Sequence, residues 1–172
     1  MKSAVFFSSW IASVLVLGAL TAGEQSRPPI PGDDKAANQM RAEKLERLLV
    51  ALTESCKTML DAQVGVREES KRLDNAIRNN ADKKPSDEDR ETFRRISDKQ
   101  KAIVAEVSKT IDMLTRDGSA AAFPEVFEQV RADMKVVQGR LEISEVGPAT
   151  LAIQDDIIET LKEMIDSLTH SK

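Results

Sequence analysis

Tyrosine is absent from the 172 residues, and there is one tryptophan, one histidine and one cysteine. With aromatics at 3% of the chain, base-stacking platforms and aromatic ligand clefts lack their main parts. A single histidine removes the di-iron reading of a helical protein, which takes two Glu-x-x-His pairs, and leaves His170 as the sole imidazole that could serve a nucleophile. His170 itself suits a cation near a helix C-terminus better than a base or a metal ligand. Cys56 cannot make an intramolecular disulfide; its place on an apolar face predicts a small core residue, with an intermolecular disulfide as the alternative. There is no Gly-x-Ser-x-Gly, P-loop, dinucleotide fingerprint or Asp-x-Asp-x-Asp-Gly calcium loop. No catalytic, cofactor-binding or metal residue is therefore assigned, no cofactor is expected, and the chain is not expected to be an enzyme.

What is present begins with an apolar run, Ala4 to Leu20, preceded by Lys2 and followed by small residues at Thr21, Ala22 and Gly23. This pattern predicts an export signal over residues 1–23; the alternative is an uncleaved N-terminal anchor, since about 17 residues is the lower limit for a spanning helix. Without those residues the formal net charge moves from -4 to -5, because Lys2 is their only charge. An acidic domain lacks the basic stripe that attracts phosphates, so no nucleic-acid partner is expected. Residues 24–35 contain Pro28, Pro29 and Pro31 with Gly32 and read as a proline-rich linker, followed by a helical domain over 36–172.

In that domain the apolar residues recur every three or four positions. A first helix is predicted from Ala36 to about Asn80 on Leu45, Leu48, Leu49, Leu52, Cys56, Met59, Leu60 and Val64, thinning to Leu73 and Ile77. Ser86 with Asp87, Glu88 and Asp89 predicts the N-cap of a second, carrying Phe93, Ile96, Gln100, Ile103, Val107, Ile111 and Leu114 and ending at Asp117-Gly118. Pro124 opens a third with Phe127, Val130, Met134, Val137 and Leu141. Beyond Gly147-Pro148 a fourth carries Leu151, Gln154, Ile157, Ile158, Leu161, Met164, Ile165 and Leu168. No segment alternates with a period of two. The fold class is accordingly all-α: a long antiparallel helical hairpin plus two shorter helices, as a four-helix bundle or a coiled-coil-like assembly. At about 1.5 Å per residue the hairpin helices reach about 65 and 45 Å, so the first extends beyond its partners.

The surface offers few candidates. Acids such as Asp155, Asp156 and Glu159 are explained by a solvated helix face, and Met40, Met59, Met113, Met134 and Met164 by gap-filling in a core rather than by a soft-metal site. The hairpin tip, Arg67 to Arg95, gathers Lys71, Arg72, Arg78, Lys83, Lys84, Arg90, Arg94 and Arg95 beside many acids. It reads either as a salt-bridged helix end or as a docking tip. Ile153 to Ile165, with Val130-Arg131-Ala132-Asp133-Met134 before it, resembles segments of uncharacterised exported helical proteins of bacteria. The resemblance implies a location in the bacterial envelope and supplies no catalytic residue. The expected function is therefore protein-protein interaction in the cell envelope, with a protein partner or by self-association, and contact with the membrane only through residues 4–20 if these stay uncleaved. The alternative is a small helical sensor or carrier of a ligand or metal.

Overall fold

A computed structural model of the chain describes residues 33–117 and 123–170. Among them are four helices and no strand: α1 Asp33–Asn79, α2 Asp87–Asp117, α3 Phe123–Glu142 and α4 Pro148–His170. The chain divides into two units, Met1–Ala37 and Asn38–Lys172, and the described part of the first is the opening turn of α1. The expected signal over 1–23, most of the linker and the Gly118 cap lie outside the described residues. Helix α1 begins three residues before the expected Ala36, since Gly32 is the last helix-breaking residue ahead of it.

Each helix turns one stripe inward, with a stricter period than its apolar residues alone suggest. In α1 the inner stripe is Leu49, Leu52, Cys56, Met59, Gln63, Val66, Ser70 and Leu73, which alternate steps of three and four, with Leu48 and Thr53 buried beside it. Leu60 and Val64, expected in this stripe, are only half-buried, because Gln63 and Ser70 hold the inner positions. Helix α2 buries Phe93, Ile96, Gln100, Ile103, Val107, Thr110 and Leu114, and α4 buries Thr150, Gln154, Ile157, Leu161, Met164 and Leu168, on the same period. Leu151 is half-buried and Thr150 takes the inner place. A sustained heptad on every helix is the pattern of near-parallel, knobs-into-holes packing.

Polar bonds across the core fix the directions. Gln100 Nε2 donates to Gln63 Oε1 at 3.0 Å, Ser55 and Thr110 share a hydroxyl hydrogen bond of 3.0 Å, and Arg95 and Lys99 both reach Glu69. Positions rise along α1 as they fall along α2, so the pair is antiparallel. Gln154 Nε2 donates to Ser70 Oγ at 3.0 Å and Arg67 forks onto Asp155, which sets α4 antiparallel to α1 as well. Helix α3 packs against α2 and α4, and Arg140 Nε donates to Thr150 Oγ1 at 2.8 Å. Asn38–Lys172 is thus a helical bundle.

The connections follow local chemistry. Ser86 caps α2: its Oγ accepts from the Asp89 amide at 3.2 Å while Asp89 Oδ2 accepts from the Ser86 amide at 2.8 Å, a reciprocal capping box. Asn80 Nδ2 reaches the same carboxylate oxygen, and these bonds, led by the Ser86 hydroxyl, lower the Asp89 pKa. Helix α3 ends in a Schellman turn, with the Glu145 amide on Arg140 O at 2.8 Å and the Ser144 amide on Leu141 O at 3.0 Å. Ser144 occupies the left-handed position of that turn, at φ 60°, where a Cβ is unfavourable. Ser144→Gly is expected to stabilise the bundle by about 1 kcal/mol, read as a higher urea midpoint at unchanged slope; an unchanged or lower midpoint would refute it. Gly147, at φ 154°, then leads into α4, with Pro148 at its first position.

Candidate functional site

A bundle whose inner stripes meet leaves function to its ends, outer faces and any polar atoms held inside. One open cleft, of about 420 Å³, lies where α1 passes the C-terminal part of α2, lined by Lys44, Lys109, Asp112, Met113 and Arg116. Lys109 pairs with Glu106 at 3.0 Å, one turn away on its own helix. Three cations, one carboxylate and an exposed thioether make a mixed surface that suits an acidic protein segment better than a reacting group.

The structure divides the expected docking tip. Arg67, at its start, is half-buried and tied to α4: its Nε and Nη2 donate to the two carboxylate oxygens of Asp155 at 2.7 and 2.9 Å. The fork holds the Asp155 carboxyl below the usual carboxylate range and raises the Arg67 pKa. Ser70, Leu73 and Phe93 are buried, so the part that stands clear of α4 is shorter than Arg67 to Arg95. Most of the tip's cations have acids beside them: Arg72 with Glu68, Arg78 with Asp74, Arg90 with Asp87, Arg94 with Glu91, and Arg95 with Glu69. Such pairs between exposed side chains contribute about 0–1 kcal/mol each.

Cys56 is fully buried, and burial pushes its thiol up to about 12. An intermolecular disulfide would need this core to open first. Since the thiolate is the reacting form, labelling by a thiol reagent is expected to be slow in the folded chain even at pH near 9 and fast in denaturant. Rapid labelling under native conditions would contradict the packing. His170 sits on the last turn of α4 with Nδ1 2.7 Å from Asp166 O. Met59, Met134 and Met164 are buried, whereas Met40 and Met113 are exposed. Among the described residues no three His, Cys, Asp or Glu side chains are grouped to hold a metal ion, and no helix is long and apolar enough to cross a membrane. The apolar run of residues 4–20 lies outside those residues.

Two features go further than the periodicity, which already had the first helix extending beyond its partners and Gln100 and Gln154 on the inner stripes. The first is the overhang of α1: every residue from Lys35 to Arg47 is exposed, including Met40 at 71% and Leu45 at 44%, and burial begins at Leu48. Leu45 continues the stripe of Leu49 and Leu52 but lies past the end of α2 in the register set by Ser55 and Thr110. The second is a pair of polar layers inside the bundle. Gln63 Nε2, Gln100 Oε1 and Gln154 Oε1 are buried without a hydrogen-bond partner. Continuing the three-four spacing through polar residues would have found Gln63 and Ser70. No protein-family model matches this chain, and neither a curated protein nor a solved structure does.

Proposed function

We propose that the chain is an exported, non-enzymatic helical protein that works by binding another protein of the cell envelope. The observation that supports this reading best is the α1 overhang, where Leu45 faces solvent in line with the buried Leu49 and Leu52 and Met40 is exposed on another side of the helix. An exposed large apolar side chain that continues a packed seam gives a second helix a place to extend that seam. The neighbouring cleft adds Lys109 and Arg116 from α2, and so favours a partner helix with acidic flanks.

Photo-crosslinking residues at positions 40 and 45, with Lys83 of the hairpin turn as a third site, test the reading in the native envelope. A reproducible heterologous product from 40 and 45, absent from a cytoplasmic fraction, is the expected result. No product from any of the three sites would overturn it. A second reading, a ligand-carrying bundle, draws on the three unpartnered amide atoms of Gln63, Gln100 and Gln154. It requires the melting temperature of a dialysed sample to rise with metals, haem or lipids, and an unmoved transition removes it.

A further inference from the structure

Helix α3 has a second apolar stripe, on the side opposite its core residues. Val136 is 49% exposed and Ile143, just past the helix end, 67%, and the exposed Ala132 and Gly139 complete steps of four, three and four. At 100° per residue these positions cluster about half a turn away from Phe127, Val130, Met134, Val137 and Leu141. A helix already buried on one side has no need of this spacing on the other. A Cβ built at Gly139 would meet nothing within 4 Å, so the stripe has a flat, open place at that position.

We infer that this face is where two copies of the chain associate, α3 against α3 and antiparallel. Two observations choose the occupant and its direction. Pairing Val136 with the partner's Gly139 also places Ala132 opposite the partner's Ile143, so each large side chain meets a small one. The charges beside the stripe then match: Lys135 faces the partner's Glu142, and Asp133 the partner's Arg140. The parallel arrangement instead sets Lys135 beside the partner's Arg140, and Glu128 beside the partner's Asp133, both like-charged. Lys135 and Glu142 are exposed, Glu142 accepting one bond from Gln138 on its own helix, while Arg140 is held by both Thr150 and Glu145, so the Lys135–Glu142 pairs contribute more to the orientation. A contact of this length buries on the order of 1,000 Å², the lower edge for specific interfaces, which fits a dimer that forms and dissociates with concentration. This association uses a different surface from the α1 overhang and stands or falls separately from partner binding there.

Sedimentation equilibrium of the chain, purified as its own cells process it, tests the inference. A concentration-dependent dimer is expected, weakened at least tenfold by Val136→Lys and by Ile143→Lys with unchanged far-UV circular dichroism, since both sites are exposed. Lys135→Glu is expected to weaken it, and Lys135→Glu with Glu142→Lys to restore it. When Val136→Cys and Gly139→Cys chains are mixed under a mild oxidant, the mixed disulfide should form faster than either homodimer. A chain that stays monomeric at every concentration, a dimer indifferent to both lysine variants, or Val136→Cys homodimers forming fastest would each overturn the inference.

Discussion

Phe127→Ala is expected to cost the bundle about 3–5 kcal/mol, because a fully buried ring is lost and α3 cannot close the space. Phe127 is among the largest side chains fully enclosed in the core, and it lies one turn from Val130 on the inner stripe. Its neighbour on the inner stripe, Val130, is itself buried and held by its own packing, so the void persists rather than collapsing. Against a total of about 5–15 kcal/mol for a domain, the variant loses a large fraction of its stability. Urea unfolding followed by far-UV circular dichroism measures it, and a loss below about 1 kcal/mol would mean that the site is not enclosed as described.

The Gln63–Gln100 bond is expected to show opposite signs in single and double variants. Gln63→Leu removes the acceptor and leaves the Gln100 amide buried without a partner, at a cost of about 1–3 kcal/mol. Gln100→Leu strands Gln63 in the same way. The double variant Gln63→Leu and Gln100→Leu removes both amides, together with the two atoms that are already unpartnered, and places side chains of similar volume in the layer. It is expected to be more stable than the native chain by about 1–2 kcal/mol, by the reasoning that well-packed apolar groups match or exceed a buried polar pair. The two single changes are therefore strongly non-additive, and simple addition of their losses would exclude a direct bond. What the amides supply instead is register, since an apolar seam tolerates slippage that a paired layer resists.

Much of this fold was legible because its punctuation is local. Asn79-Asn80, Ser86 with its acids, Pro124 and Gly147-Pro148 mark helix ends by capping and backbone constraint, and the helices end or begin at or next to them. Absent period-two alternation correctly excluded sheets among the described residues. Where the reading failed, burial was decided by a neighbour rather than by the residue. Gln63 and Ser70 are enclosed because Gln100 and Gln154 face them across the core, and polarity alone argued the opposite. Leu45 is exposed because α2 ends before reaching it. The expected docking tip shrank for a similar reason: Arg67 finds Asp155, 88 positions away, and charge patterning along one helix cannot register that. The outward stripe of α3 was present in the spacing of Ala132, Val136, Gly139 and Ile143, but the inner stripe accounted for the helix and drew attention from it.

The bare N-terminal turns of α1 are helical on terms unlike those of the rest. A free segment as short as Lys35 to Arg47 would pay the nucleation penalty alone and be mostly coil, since isolated helices below about 12–15 residues are marginal in water. Here the nucleus already exists in the packed turns from Leu48 onward, so each added residue is propagation only. Helix content there is expected to fall from Leu48 toward Asp33, with amide hydrogens exchanging with solvent progressively faster in that direction. A protein that docks on Leu45 would then meet a coil-helix equilibrium close to balance, and would complete the helix on binding at little entropic expense.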